Sequence, residues 1–148
     1  MAHYNFDKDL LDGQQAEQEA IEKLKVHFSI TDDADFEIYN KTEYDIKIIS
    51  KNLTFEVKND LMATKTGNVA IEYECRGNVS GINATEADFW LQKYNNKFHM
   101  VETSKLKDEI LTKRNFDRDF SSGGGDAGSN TKMYLVAIPK FETWGVEL

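Results

Sequence analysis

Cysteine is almost absent from this chain. Cys75 stands alone, so no disulfide can close within the chain, and a reducing, cytoplasmic setting is expected. Long apolar runs are missing too. Nothing approaches the ~20 residues that cross a bilayer, so no membrane partner is expected. The opening stretch, MAHYNFDKDLLDGQQ, has neither the basic flank nor the apolar centre of a secretory signal. The three histidines, His3, His27 and His99, fall at no ligand spacing, which speaks against a zinc site. There is no Walker-type phosphate loop, no dinucleotide-binding glycine pattern and no Ser or Cys nucleophile elbow. Positive charge is scarce: 18 Lys and Arg face 26 Asp and Glu, a net charge of −8. Affinity for a nucleic-acid backbone comes from cations that neutralise phosphates. The balance therefore speaks against a protein that coats nucleic acid non-specifically. It leaves room for an enzyme whose carboxylates await a divalent cation, with contacts made by a local basic patch or by a surface built through oligomerisation.

What is present fits one soluble domain. The 148 residues are 40% hydrophobic and 30% charged, ordinary values for a compact globular unit spanning 1–148. Residues 13–28 carry Ala16, Ala20, Ile21, Leu24 and Phe28 at helical spacing. Strands are predicted at 35–40, 43–49, 53–58 and 67–75, each with apolar residues alternating against polar ones. Thr85 then reads as the N-cap of a helix through EADFWLQKY, with Glu86 and Asp88 in its first turn. A strand at 97–102 and a helix at 103–114, capped by Thr103 or Ser104, follow. SSGGGDAGSN (121–130) reads as a flexible loop, and 133–139 as a buried strand. The order predicts a mixed α/β (α+β) domain, with helices flanking one central mixed sheet.

The stretch YDIKIISKNLTFEVKND places chemistry on the second and third strands. Glu56 and Lys58, at i and i+2, share one face. Asp45 joins them if the hairpin loop has even length: a turn at Ser50-Lys51 sets it opposite Glu56, and one at Lys51-Asn52 sets it opposite Lys58. Ile46, Ile48, Phe55 and Val57 then share the other face. Two facing carboxylates repel unless a cation fills the gap or a lysine offsets their charge. Carboxylate oxygens with water are the donors Mg²⁺ prefers, and the Val57 carbonyl is a further candidate ligand. A cation so held activates water and stabilises charge on a phosphodiester, and Lys58 would orient the water or neutralise the transition state. Against this stands the common same-face Glu-x-Lys ion pair of solvent-facing strands.

Asp45…Glu56-Val57-Lys58, behind a helix carrying Glu17, resembles the PD-(D/E)xK nuclease superfamily over roughly residues 13–102. Tyr44 stands where some members have proline. The resemblance implies a restriction-endonuclease-like core, with residues 103–148 as a C-terminal extension. It implies a Mg²⁺-dependent (Mn²⁺ as substitute) DNA endonuclease, with Asp45, Glu56 and Val57 at the metal and Lys58 acting on water and transition state. Gly13-x-x-x-Glu17 resembles the helix that lends some resolvase-like and exonuclease-like members an extra acid. The segment from Thr66 to Trp90 is also similar to that of phage-type nucleases. The substrate implied is duplex or branched DNA, first a junction-resolving or structure-specific reaction and second a sequence-specific homing or restriction-like one. Cutting both strands implies a homodimer or higher homo-oligomer. A non-catalytic acidic nucleic-acid-binding or interaction module on the same scaffold is the alternative from another class.

Other residues carry weaker readings. Glu72 and Glu74 read as a solvated strand edge, with an approach to the metal as the sharper option. Ser80, Asn83 and Thr85 could meet a DNA phosphate. Lys105, Lys107, Lys113, Arg114 and Arg118 are the densest basic stretch, but Asp108, Glu109, Asp117 and Asp119 interleave with them, so a salt-bridged surface is expected. Phe89 and Trp90 are expected in the core.

Overall fold

The computed structural model describes residues 6–39, 43–122 and 130–148. Most of the loop expected at 121–130 and the end of the strand expected at 35–40 lie outside the described residues.

Helix α1 spans Phe6–Phe28, beginning earlier than residue 13. Ala16, Ala20, Ile21 and Leu24 form one buried stripe along it, the spacing that lets a helix lie on a sheet. It ends in a Schellman turn: Ser29 takes φ 56°, and Ile30 N–H donates to the Lys25 carbonyl at 2.9 Å. Lys25 and His27 occupy the last turn, where cations are favoured.

Ten strands fall into two sheets among the described residues. The first contains β1 (Phe36–Ile38), β2 (Ile46–Ile48), β3 (Leu53–Asn59), β6 (Phe89–Tyr94), β7 (Lys97–Glu102) and β10 (Val146–Glu147), in that spatial order. β3 and β6 run parallel and its other neighbours antiparallel. The second contains β5 (Asn78–Val79), β4 (Asn68–Cys75), β9 (Thr131–Ala137) and β8 (Arg118–Ser122), antiparallel throughout. The expected mixed α+β class holds, but a second sheet replaces the single one. Short helices α2 (Ala63–Thr66), α3 (Thr103–Lys107) and α4 (Ile138–Phe141) complete the regular elements.

The first sheet is the middle layer. On one side Ala20, Ile21 and Leu24 of α1 pack with Ile46, Ile48, Phe55 and Leu91. On the other, Trp90, Tyr94 and Val101 pack with Val69, Ile71 and Val136 of the second sheet and with Leu106 and Ile110. Because β3 alternates, Phe55 and its neighbours face α1, whereas Glu56 and Lys58 face the second sheet.

The helix expected from Thr85 is instead strand β6. Phe89, Leu91 and Lys93 face one side and Trp90, Gln92 and Tyr94 the other. A strand buried on both faces reads as a nearly continuous apolar run, which resembles a helix in sequence. Helix 103–114 is present in two parts, α3 and a π-helical turn at Asp108–Thr112. Neither Thr103 nor Ser104 caps it; Glu102 holds the N-cap position without a side-chain bond.

Candidate active site

The β2–β3 hairpin closes through Ser50-Lys51. Asn52 N–H donates to the Ile49 carbonyl at 3.2 Å, and Asn52 sits at φ 52°, a left-handed conformation that Asn tolerates. Ile46 pairs with Phe55 and Ile48 with Leu53, so one step beyond the ladder Asp45 comes opposite Glu56. The strands part there. Asp45 N–H still donates to the Phe55 carbonyl at 2.9 Å, but Val57 N–H turns to the Asp45 carboxylate, at 2.8 Å.

Glu56 is 7% exposed and has three neighbours. Lys58 Nζ lies 3.4 Å from its Oε2, Thr85 Oγ1 is 3.1 Å from its Oε1, and the Asp45 carboxyl is near enough for the two to influence each other's charge. Desolvation pushes the Glu56 carboxyl up to about 7; Lys58 opposes the rise and Asp45 adds to it. Asp45 is raised too, mainly by burial, against the pull of Val57 N–H and Lys58. Burial works to strip the proton from Lys58, but Glu56, Glu72 and Asp45 outweigh it and hold its pKa above the ordinary value. Lys58 also lies over the Trp90 ring, 5.7 Å from the centroid. Near neutral pH the site is thus a carboxyl pair holding a proton beside a fixed cation.

Thr85 and Glu72 take other parts than the ones expected of them. Thr85 caps no helix. It is buried, accepts from Ala87 N–H at 3.2 Å and reaches both Glu56 and the Glu43 carbonyl. Lys107 Nζ holds the Thr85 carbonyl at 3.2 Å, tying α3 to the site. Gly81 anchors this loop: at φ +49°, a Cβ there would stand 2.0 Å from the Glu72 carbonyl oxygen. Glu72 lies close enough to Lys58 to hold its charge and shares a cavity wall with it; it is no mere solvated edge. Glu72 follows Ala70 on the face of β4 away from Ile71, a parity visible in sequence, but which sheet that face meets is not.

Glu17 is 8% exposed on α1, a helix packed against the sheet face opposite Glu56. Gly13, one turn earlier on the same helical stripe, lines the cavity that Lys58 enters. The basic stretch is largely tied up: Lys113 pairs with Asp108 and Glu109, and Arg114 stacks on Phe116 and Tyr134. Trp90 is in the core as expected, and Phe89 is half-buried beside Phe55.

Among the described residues no group of three or more His, Cys, Asp or Glu is disposed around one metal point. The chain's own donors here are two carboxylates, and the Val57 carbonyl follows Glu56 on the same strand. All are oxygen, the set suited to Mg²⁺ or Mn²⁺, which keep water and substrate oxygens in their remaining positions. A cation between Asp45 and Glu56 would offset their repulsion, so the residues fit the group.

Comparison with protein-family models, with curated proteins and with solved structures finds no match to this chain.

Proposed function

We propose that this protein is a metal-dependent phosphodiesterase, a DNA endonuclease, working at Asp45, Glu56 and Lys58. The observation that carries the reading is the hairpin register, which sets buried Glu56 and half-buried Asp45 face to face with Lys58 against Glu56. Such a pair raises its own ionisation cost; without a ligand to bind, an apolar pair would be more stable. Helix α1, the meander of β1, β2 and β3, and β6 parallel to β3 are shared with the superfamily that the motif resembles, but β4 and β5 stand where that superfamily has a helix.

In this reading Asp45 and Glu56 hold the Mg²⁺, or Mn²⁺ in its place, and the Val57 carbonyl is available to it. When bound, the cation lowers the pKa of a coordinated water and offsets charge on the scissile phosphate. Glu56 must first give up its proton. Lys58, held protonated by three carboxylates, cannot act as a base; it donates a hydrogen bond to the attacking water or to a phosphate oxygen as charge builds there. Thr85 and Val57 N–H fix the two carboxylates, so little reorganisation is needed. Glu17 is a candidate for a further acid. One such centre cuts one strand, and cutting two requires a homodimer or larger assembly.

The test is incubation of labelled single-stranded, duplex, flap and four-way-junction DNA with the protein, with Mg²⁺, Mn²⁺ or chelator. Cleavage that requires the cation supports the reading, and the preferred substrate chooses between structure-specific and duplex-cutting enzymes. No cleavage of any of them, with no stabilisation by the cation, removes the enzyme and favours the acidic binding module.

A further inference from the structure

Beside the carboxylate pair lies a cavity of about 860 Å³ whose walls include Lys58 and Glu72. Its broad wall is the outer face of the second sheet. Ala70 pairs with Leu135 and Leu135 with Arg118; Glu72 pairs with Met133 and Met133 with Phe120. Two cross-strand rows therefore lie on one face, opposite the face where Ile71 and Tyr134 join the core. Phe120, Met133 and Leu135 are half-buried there, and exposed Arg118 stands over the Phe120 ring at 5.4 Å. Across the cavity, Leu61 and Met62 are 60% and 55% exposed.

We propose that this platform receives the unpaired bases of a nucleic-acid strand whose neighbouring phosphate lies at Lys58. The inference rests on the phosphodiesterase reading and names its substrate class: single-stranded DNA or the unpaired arm of a branched one, rather than continuous duplex. Three observations converge on that occupant. The platform continues into the site through Lys58 and Glu72, so the nucleotide beside the scissile phosphate reaches it. Its sheet wall presents an aromatic ring, flexible apolar side chains and one stacked arginine, which is how bases are held without regard to sequence, while Asp12 and Asp60 stand on the cavity's other walls. The chain's net charge of −8 leaves little phosphate neutralisation to hold a duplex, and paired bases, stacked inside the helix, cannot reach a recessed ring.

The test uses the full chain carrying Glu56→Gln, to prevent cleavage, titrated into fluorescently labelled oligothymidylate and into a blunt duplex. Single strand is expected to bind at least about ten-fold tighter than duplex. Phe120→Ala is expected to weaken single-strand binding by about ten-fold, the scale of one lost base stack, and Phe120→Tyr to restore it. Arg118→Ala, at an exposed position, gives an independent loss should Phe120→Ala fold poorly. In a chain with intact Glu56, neither platform variant should change stabilisation by Mg²⁺. Preference for duplex, or unchanged single-strand binding in both folded variants, overturns the inference. If cleavage needs Glu56 and Lys58 yet proceeds normally on duplex in the platform variants, the enzyme stands and the platform falls. If Phe120 governs single-strand binding while no cleavage or Mg²⁺ stabilisation occurs, the platform stands and the enzyme falls.

Discussion

Replacing Glu56 by glutamine should make the cation-free protein more stable, increasingly so as pH rises. The folded state holds the Glu56 proton up to about 7, against 4.5 for an ordinary glutamate. It therefore binds more protons than the unfolded chain between those values, and stability falls as pH climbs through that window. A difference of this size corresponds to about 3 kcal/mol at 1.36 kcal/mol per unit, lost progressively between roughly pH 4 and pH 9. Glutamine imitates the protonated acid and escapes the loss. The assay is thermal or urea unfolding of parent and Glu56→Gln in chelator across that range. At low pH the two should lie close together. By the top of the range the variant should lead by about 3 kcal/mol, roughly 6–12 °C in Tm for a chain of this size. Mg²⁺ should then narrow the gap. At ten times its Kd it would stabilise the parent by about 1.4 kcal/mol and the variant far less. A variant less stable than the parent at alkaline pH, or a difference that does not change with pH, would refute the claim that Glu56 is a buried carboxyl held protonated beside Asp45.

Further outcomes follow from the same contacts. Lys58→Ala should bind Mg²⁺ at least as well as the parent, having lost a neighbouring cation, while cleaving about 10²–10³-fold more slowly; titration calorimetry and single-turnover kinetics separate the two effects. Thr85→Val removes the hydroxyl that reaches Glu56, so the Glu56 carboxyl should rise further, and the pH midpoint for Mg²⁺ binding should move up, with Thr85→Ser restoring it. Gly81→Ala drives a Cβ into the Glu72 carbonyl and should destabilise by about 2–4 kcal/mol in chemical unfolding. Metal affinity in the parent should itself strengthen as pH rises through about 7, where Glu56 gives up its proton.

Local periodicity made much of this architecture legible. The stripe of Ala16, Ala20, Ile21 and Leu24 announced α1, and alternation located β2, β3 and β4. The even-length turn at Ser50-Lys51 was one of the registers that keep Asp45, Glu56 and Lys58 on one face, and it is the one present. What local patterns do not carry is pairing at a distance. The second sheet depends on β4 meeting β9 across more than fifty residues of chain, and β5, β8 and β10 are short, mostly exposed strands with little apolar signature. β6 misled because burial on both faces erases alternation. Thr85 reaches Glu56 only through packing of the loop at Gly81 onto β4, and Glu72 nears Lys58 only because the second sheet lies where it does, neither of which residue spacing encodes.

The central claim is that Asp45, Glu56 and Lys58 act together on a phosphodiester. Its most direct test is the cleavage rate, at saturating Mg²⁺, of the parent beside Asp45→Asn, Glu56→Gln and Lys58→Ala on the preferred labelled DNA, with folding of each verified. Metal-dependent cleavage is expected in the parent and its loss in all three. Equal rates in the parent and the folded variants would contradict it.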